Sequence, residues 1–341
     1  MSENSTKKLL IVGATGRQGR SLVRHLRPAE DGEQIPDHTR LPFHVLALTR
    51  KRNSPNAKML SKEPHVTLVQ GDLNDPASIR KIFEDEKESG GIWGVFVALA
   101  FPGLGANADA EEMHGKFLAD LAVEYGVKCF IFSSVERGGE EKDDDAVLDR
   151  LAKVRIERHV RSLGDKGLPW VILRPGFFME NFEGTLGSLT VGILKAGLQP
   201  TTSILLVALD DIGGVATGVF RDHTSFTHQI LVVGSEALTM EEQEEAYRNA
   251  TGRSRPSVPS LVARGLVSMN SFTQGVITEM ERAYLLHKDS AVNNARVEAA
   301  RRAMPLMTSF HSWCAQHYGK SSQREKGWNH LSVAKLITGK H

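Results

Sequence analysis

The chain has 341 residues, with 42 lysines and arginines against 41 aspartates and glutamates, 40% hydrophobic and 24% charged residues. That length holds one large core or two smaller ones, and a formal net charge of +1 gives no bulk basic field for direct nucleic-acid binding. Two cysteines are too few for a disulfide framework, the opening MSENSTKK lacks a signal-peptide core, and no run approaches the ~20 apolar residues of a membrane span. The expectation is a cytoplasmic protein without a membrane partner.

In chain order, residues 9–12 form an apolar run that reads as a buried strand. Gly13, Gly16 and Gly19 punctuate a turn, and residues 18–26 resume at helical spacing with Leu22, Val23 and Leu26 on one side. A strand, a glycine turn and a helix start suit a dinucleotide pyrophosphate, which backbone N–H groups and the partial positive charge of a helix N-terminus would hold. The spacing is GxxGxxG rather than GxGxxG, and the turn comprises Gly13, Ala14, Thr15, Gly16, Arg17, Gln18 and Gly19. Residues 27–42 are polar, carry three prolines and read as a surface insertion. A second strand over 43–49 runs into Arg50-Lys51-Arg52, and a short helix is expected over 55–61. The third strand, 66–70, is closed by Gly71-Asp72-Leu73, and Asp75-Pro76 opens the next helix with proline in its first turn.

Residues 94–100 make a fourth strand and 108–125 a helix with Met113, Phe117, Leu118, Leu121 and Ala122 as its inward stripe. A fifth strand, 129–132, ends at Ser133 and Ser134. The acidic run 140–145 reads as a solvated link into a helix over 146–163, and 170–173 is a sixth strand. Strands alternating with helices predict an α/β fold, a doubly wound parallel sheet of Rossmann type over residues 1–176. A smaller, mostly helical C-terminal lobe is expected over 177–320. Its elements are helices over 182–196 and 211–220, strands over 204–209 and 229–233, a capping box at Thr239 and Glu242, and mostly helix over 258–315. Residues 321–341 read as a polar tail.

Five segments together resemble the NmrA-like family, an atypical branch of the short-chain dehydrogenase/reductase superfamily. They are GATGRQG at 13–19, LTR at 48–50, QGDL at 70–73, HGKFLADLAVEYGVKCFIFSSVE at 114–136 and LPWVILRPGFFMENF at 168–182. The resemblance implies a Rossmann domain with a smaller C-terminal lobe and an NADP-type cofactor. NAD-preferring sites place an acidic residue at the end of the second strand to bind the ribose 2′-hydroxyl, whereas a 2′-phosphate needs a cation there. Thr49, Arg50 and Lys51 stand at that position, so NADP(H) is preferred over NAD(H). Arg17 is the other cation expected at the phosphate, with a solvated surface role as its alternative. The resemblance assigns Asp72, with Leu73 beside it, to the adenine edge, against a plain turn role. Residues 98–102, with Ala98 among the cofactor-binding positions, are expected to run under the cofactor, with Phe101 near the nicotinamide half and Leu99 and Ala100 as walls. Phe178 and Asn181 belong to the segment that approaches the nicotinamide and the substrate cleft.

Typical superfamily reductases place a tyrosine four residues before a lysine on one helix face, so that the hydroxyl exchanges a proton with the substrate oxygen. The tyrosines here are Tyr125, Tyr247, Tyr284 and Tyr318, and the position four before the family-like Lys153 is Asp149. In one reading Lys153 holds the nicotinamide ribose and serves as acid/base, with Ser133 or Ser134 orienting a small carbonyl or conjugated substrate. In the other, Lys153 only binds the cofactor and the chain is an NADP(H) redox sensor acting through a regulatory protein partner, with a nuclear location then allowed. A homo-oligomer is compatible with either. His114 and His159 lack metal-like partners in the sequence, so no metal site is expected, and Cys129 reads as an inert thiol in a strand.

Overall fold

The computed structural model describes residues 6–28, 43–100, 108–141, 143–146 and 148–318. Phe101, Pro102, most of the 27–42 insertion and the 321–341 tail lie outside the described residues. In chain order the elements are β1 (Lys7–Val12), α1 (Arg17–His25), β2 (Phe43–Thr49), α2 (Pro55–Leu60), β3 (Val66–Gln70), α3 (Pro76–Lys87), β4 (Gly94–Val97), α4 (Asp109–Glu124), β5 (Cys129–Ser133), α5 (Leu148–Ser162) and β6 (Trp170–Pro175). They continue with β7 (Phe177–Phe178), α6 (Gly184–Gly197), β8 (Ile204–Val207), α7 (Leu209–Arg221), α8 (His223–Phe226), β9 (Gln229–Val233), β10 (Glu236–Leu238), α9 (Met240–Thr251), α10 (Ser260–Met269), α11 (Ser271–His287), α12 (Ala291–Ala303) and α13 (Phe310–Tyr318).

Seven parallel strands form the main sheet in the order β3-β2-β1-β4-β5-β6-β9. Alternate residues of β1 supply its two faces. Leu9 and Ile11 pack with Phe96, Ile131 and the inward side of α1 and α7, while Leu10 and Val12 pack with Val95, Phe130 and the inward sides of α3, α4 and α5. Burial on both faces is why the strands read as unbroken apolar runs. The expected boundary at residue 176 does not separate the layers, because α7 lies against α1 and β9 adds the seventh strand beside β6. Beyond the sheet, β7 and β8 run parallel and β10 antiparallel in a three-stranded ribbon. The lobe's core gathers Phe182, Phe310, Trp313 and Tyr247.

Several boundaries differ from the sequence reading for visible reasons. β4 stops at Val97, where Ala98 turns over the glycine turn. The expected strand over 204–209 ends at Val207, because Glu180 Oε1 accepts the Leu209 N–H at 3.0 Å and starts α7 there. β7 and β10 span two and three residues, too short to show a period. The capping box forms as expected, with Thr239 and Glu242 each satisfying the other's backbone N–H.

The acidic run 140–145 is not a solvated link throughout. Arg137 grips Asp143 with two hydrogen bonds of 2.6 and 2.9 Å and reaches Glu157 on α5 at 2.8 Å. Arg174, fully buried at the end of β6, bonds the same Glu157 at 2.5 Å and Glu140 at 2.9 Å. Glu140 also pairs with Arg161 and with Arg296 on α12. Burial by itself would raise the Glu157 carboxyl, but the Arg137 hydrogen bond and the charges of Arg174 and Arg137 hold it at about 2. Two acids that look solvated in sequence are counter-charges of buried arginines, Glu140 for Arg174, 34 positions downstream, and Asp143 for Arg137, six positions upstream, a pairing that no local pattern reveals.

Candidate functional site

The glycine turn is shaped by close backbone approaches. Gly13 has φ +83°, and a Cβ there would sit 2.3 Å from the Ala98 carbonyl oxygen. A Cβ on Gly19 would meet the Gly13 carbonyl oxygen at the same 2.3 Å. Glycine is required at both by sterics. The Gly16 N–H donates to the Gly13 carbonyl at 2.9 Å, closing the turn, and Asn56 Nδ2 fixes the Thr15 carbonyl at 2.9 Å. Ala14 is fully buried behind the turn. The N-terminus of α1 has no side-chain cap and no acidic residue in its first turn. Its leading N–H groups and their partial positive charge are therefore left for an anion, and the turn fits a dinucleotide pyrophosphate.

Around this turn the expected residues fall into distinct environments. Arg50 and Lys51 are exposed past the end of β2, with no acidic side chain among their described hydrogen-bond partners. Arg17 instead reaches Glu183, before α6, at 3.3 Å. Asp72 follows β3, where its Oδ1 accepts the Asn74 backbone N–H at 3.0 Å in a local turn, and Leu73 packs partly buried on the core. Ala98 lies against Gly13.

At the ends of the central strands, Ser133 Oγ donates to Gln18 Oε1 at 2.7 Å, bracing β5 on the start of α1. Lys153 Nζ donates to Glu111 Oε1 at 2.6 Å, an ion pair between α5 and α4 whose carboxylate is almost fully buried. The pairing partners of both residues lie far away in sequence. Ser134, by contrast, is buried with an Oγ that makes no hydrogen bond.

Ser134 is one of the residues lining a cavity of about 720 Å³ between the sheet and the C-terminal lobe, with its Oγ turned away from the open space. Ser134 and Glu136 line it after β5, and Pro175, Phe177, Phe178 and Asn181 line it after β6. The far wall comes from β8, β10, α11 and α12, including Leu205, Met280, Tyr284, His287 and Arg301. Lys153 and Ser133 do not line it. The loop after β5 and the first turn of α5 are tied to α11 and α12 by Arg150–Glu279 at 2.6 Å, Asn293 Nδ2 to the Gly138 carbonyl at 2.6 Å, and His287 Nδ1 to Glu136 Oε1 at 3.4 Å. An apolar cavity with convergent polar groups beside a dinucleotide turn is the arrangement of a small-molecule site.

Of the residues singled out from the sequence, Ser134, Phe178 and Asn181 line this cavity, beside Glu136, Tyr284, His287 and Lys288, which were given no site role. One signal was present. Tyr284 stands four residues before Lys288, the spacing sought ahead of Lys153, and Lys288 Nζ lies 5.6 Å from the Tyr284 ring centre.

The seven-stranded parallel sheet with helices on both faces and the uncapped glycine turn define an α/β protein of Rossmann type. The chain belongs to the NmrA-like family, whose profile matches residues 5–312. It is 30% identical over 284 residues to the NmrA-like family domain-containing oxidoreductase ptmS of Penicillium ochrochloron, covering 75% of this chain and 77% of that protein. A solved structure of NmrA, described as a negative transcriptional regulator and bound to NAD, superposes with a TM-score of 0.66 at 19% identity, covering 92% of this chain and 95% of that one. The Citrobacter sp. triphenylmethane reductase with NADP(H) gives 0.60 at 14% identity, covering 90% and 98%. Among the described residues, no helix is long and apolar enough to cross a membrane.

Proposed function

We propose that this chain is an NADP(H)-dependent oxidoreductase whose substrate is a small organic carbonyl or a conjugated double bond. The observation that carries this reading is the cavity at the ends of β5 and β6, lined by Ser134, Phe177, Phe178 and Asn181. A largely apolar cavity of this size with a few convergent polar groups is the usual form of a small-molecule site. The backbone of residues 13–19 would hold the pyrophosphate, Arg50 and Lys51 the 2′-phosphate, and Asp72 and Leu73 the adenine. Ala98 would lie beneath the cofactor, with Phe178 and Asn181 at its nicotinamide end. Arg17 is engaged by Glu183, so Arg50 carries the phosphate preference. Lys153, held by Glu111 and absent from the cavity wall, is assigned to the nicotinamide ribose. Bound NADPH would supply the hydrogen and the electron pair.

The test is NADPH oxidation by the purified protein with a panel of carbonyls and enones, together with binding to Arg50→Asp. We expect turnover in the wild type, and a loss of at least tenfold in NADPH affinity in Arg50→Asp, about 1.4 kcal/mol, with NADH affinity changed by less than twofold. Equal losses for the two cofactors would remove Arg50 from the phosphate site.

A redox-sensing role has its own support. Ser133 and Lys153, two of the three groups expected to do chemistry, are taken up by Gln18 and Glu111, and the NmrA structure is that of a regulator. Tight NADP(H) binding without turnover, alongside cofactor-dependent capture of a protein partner, would decide for the sensor.

A further inference from the structure

Carbonyl reduction needs a proton at oxygen as well as a hydrogen at carbon, and Lys153 is not on the cavity wall. The wall holds few groups able to give that proton. Arg150 and Arg301 are guanidinium groups, donors that do not give up a proton in proteins, and are paired with Glu279 and Glu298. Glu236 is used by the Phe310 N–H at the start of α13. The remaining groups are Ser134 and Glu136 from the loop after β5, and Tyr284, His287 and Lys288 from the last turn of α11.

Among these, one pair is organised. Glu136 is held by the Gly138 N–H, which donates to its Oε1 at 2.6 Å, and the same oxygen faces His287 Nδ1 at 3.4 Å. The carboxyl is nearly buried, and its second oxygen, Oε2, has no hydrogen bond. His287 Nε2 makes no hydrogen bond among the described residues. A carboxylate on one ring nitrogen fixes the tautomer and orientation of an imidazole and stabilises its charged form, which leaves the other nitrogen to exchange a proton. The Tyr284 hydroxyl has no described partner to orient it, and the nearby Lys288 ammonium is exposed and lies toward the ring. Ser134 also lines the cavity, and its buried Oγ makes no hydrogen bond among the described residues.

We infer that His287, oriented by Glu136, donates the proton to a carbonyl oxygen bound in this cavity. The inference rests on the oxidoreductase reading. In the step, the carbonyl π bond breaks. Its carbon takes a hydrogen with two electrons from the reduced nicotinamide cofactor, and its oxygen takes the proton from His287 Nε2. Water then returns a proton to the neutral imidazole, which is partly exposed.

The experiment uses the full chain with NADPH and 4-nitrobenzaldehyde as the probe carbonyl, alongside the carbonyl panel. His287→Gln should lower kcat about 100-fold with KM and NADPH affinity within threefold, the scale of a lost general acid. Glu136→Gln should lower kcat about tenfold, and added imidazole should restore His287→Ala at least tenfold, which a merely structural histidine would not allow. Spectra of protein labelled with 15N-histidine give a readout apart from turnover. The His287 resonance, assigned by its absence in His287→Gln, should move when 4-nitrobenzaldehyde is added, and an unmoved signal would overturn the assignment. Wild-type turnover that survives His287→Gln but collapses in Tyr284→Phe would also overturn it, while keeping the oxidoreductase reading. A wild type that oxidises no NADPH with any carbonyl of the panel would remove that reading, and the His287 assignment with it.

Discussion

The glycine turn and the cavity wall are neighbours in space and opposites in construction. The turn is seven consecutive residues, and its chemistry is backbone: bare N–H groups on an uncapped helix, held open by two glycines that cannot carry a Cβ. The wall is side chains drawn together across the chain. His287 meets Glu136 across 151 positions, Arg150 meets Glu279 across 129, and Arg296 meets Glu140 across 156. Cofactor binding of the first kind depends on local conformation and resists change elsewhere. A cavity of the second kind exists only while distant ion pairs hold its sides together.

Three changes would break or sharpen this contrast. The largest effect is expected from Glu157→Gln, which strips the shared counter-charge from buried Arg137 and Arg174. Removing one partner of a buried pair typically costs about 3–5 kcal/mol. Urea unfolding should show that loss, while NADPH affinity in the folded protein stays within threefold. A cost below about 1 kcal/mol would mean that the network does not anchor the wall.

Next comes Glu180, at the seam between the two regions. Burial pushes its carboxyl up to about 7, against a smaller opposing effect of the Leu209 N–H. The folded state thus holds this proton more tightly than the unfolded chain does. Stability from this group is therefore present below the ordinary carboxylate range and lost as pH rises toward 7, by roughly 3 kcal/mol in all. Glu180→Gln should gain on the wild type by about that amount between pH 4 and pH 8 in parallel urea curves. A difference independent of pH would show that the carboxyl titrates normally.

The smallest stability change belongs to Gly13→Ala, which forces a side chain into left-handed backbone against the Ala98 carbonyl. It should cost roughly 2 kcal/mol by thermal unfolding and abolish dinucleotide binding, since the turn must open to admit the methyl group. Retained affinity would detach the pyrophosphate from this turn.

Legibility in the sequence followed the same division. β2, β3 and β9 stand over the spans read for them and β1 begins two residues before its apolar run; for β1, β2 and β9 burial on both faces leaves a continuous signal. The helical stretch over 258–315 resolves into α10 to α13 for the same reason of periodicity. What went unread was pairing. Arg174 follows an apolar strand and looks like its exposed end, yet it is fully buried because Glu157 and Glu140 come to meet it. Ser133 and Ser134 are adjacent and chemically identical, and the alternation of strand residues sends one to Gln18 and leaves the other on the cavity.

By itself, then, the sequence determined the parallel sheet, the glycine turn and the basic residues beyond β2, because hydrophobic period and backbone sterics act between near neighbours. Only the tertiary structure decided that Lys153 answers to Glu111, that Ser134 stays free, and that α11 brings His287 to Glu136. Those outcomes turn on polar atoms meeting at about 3 Å across distant segments, a distance that packing sets and spacing along the chain does not.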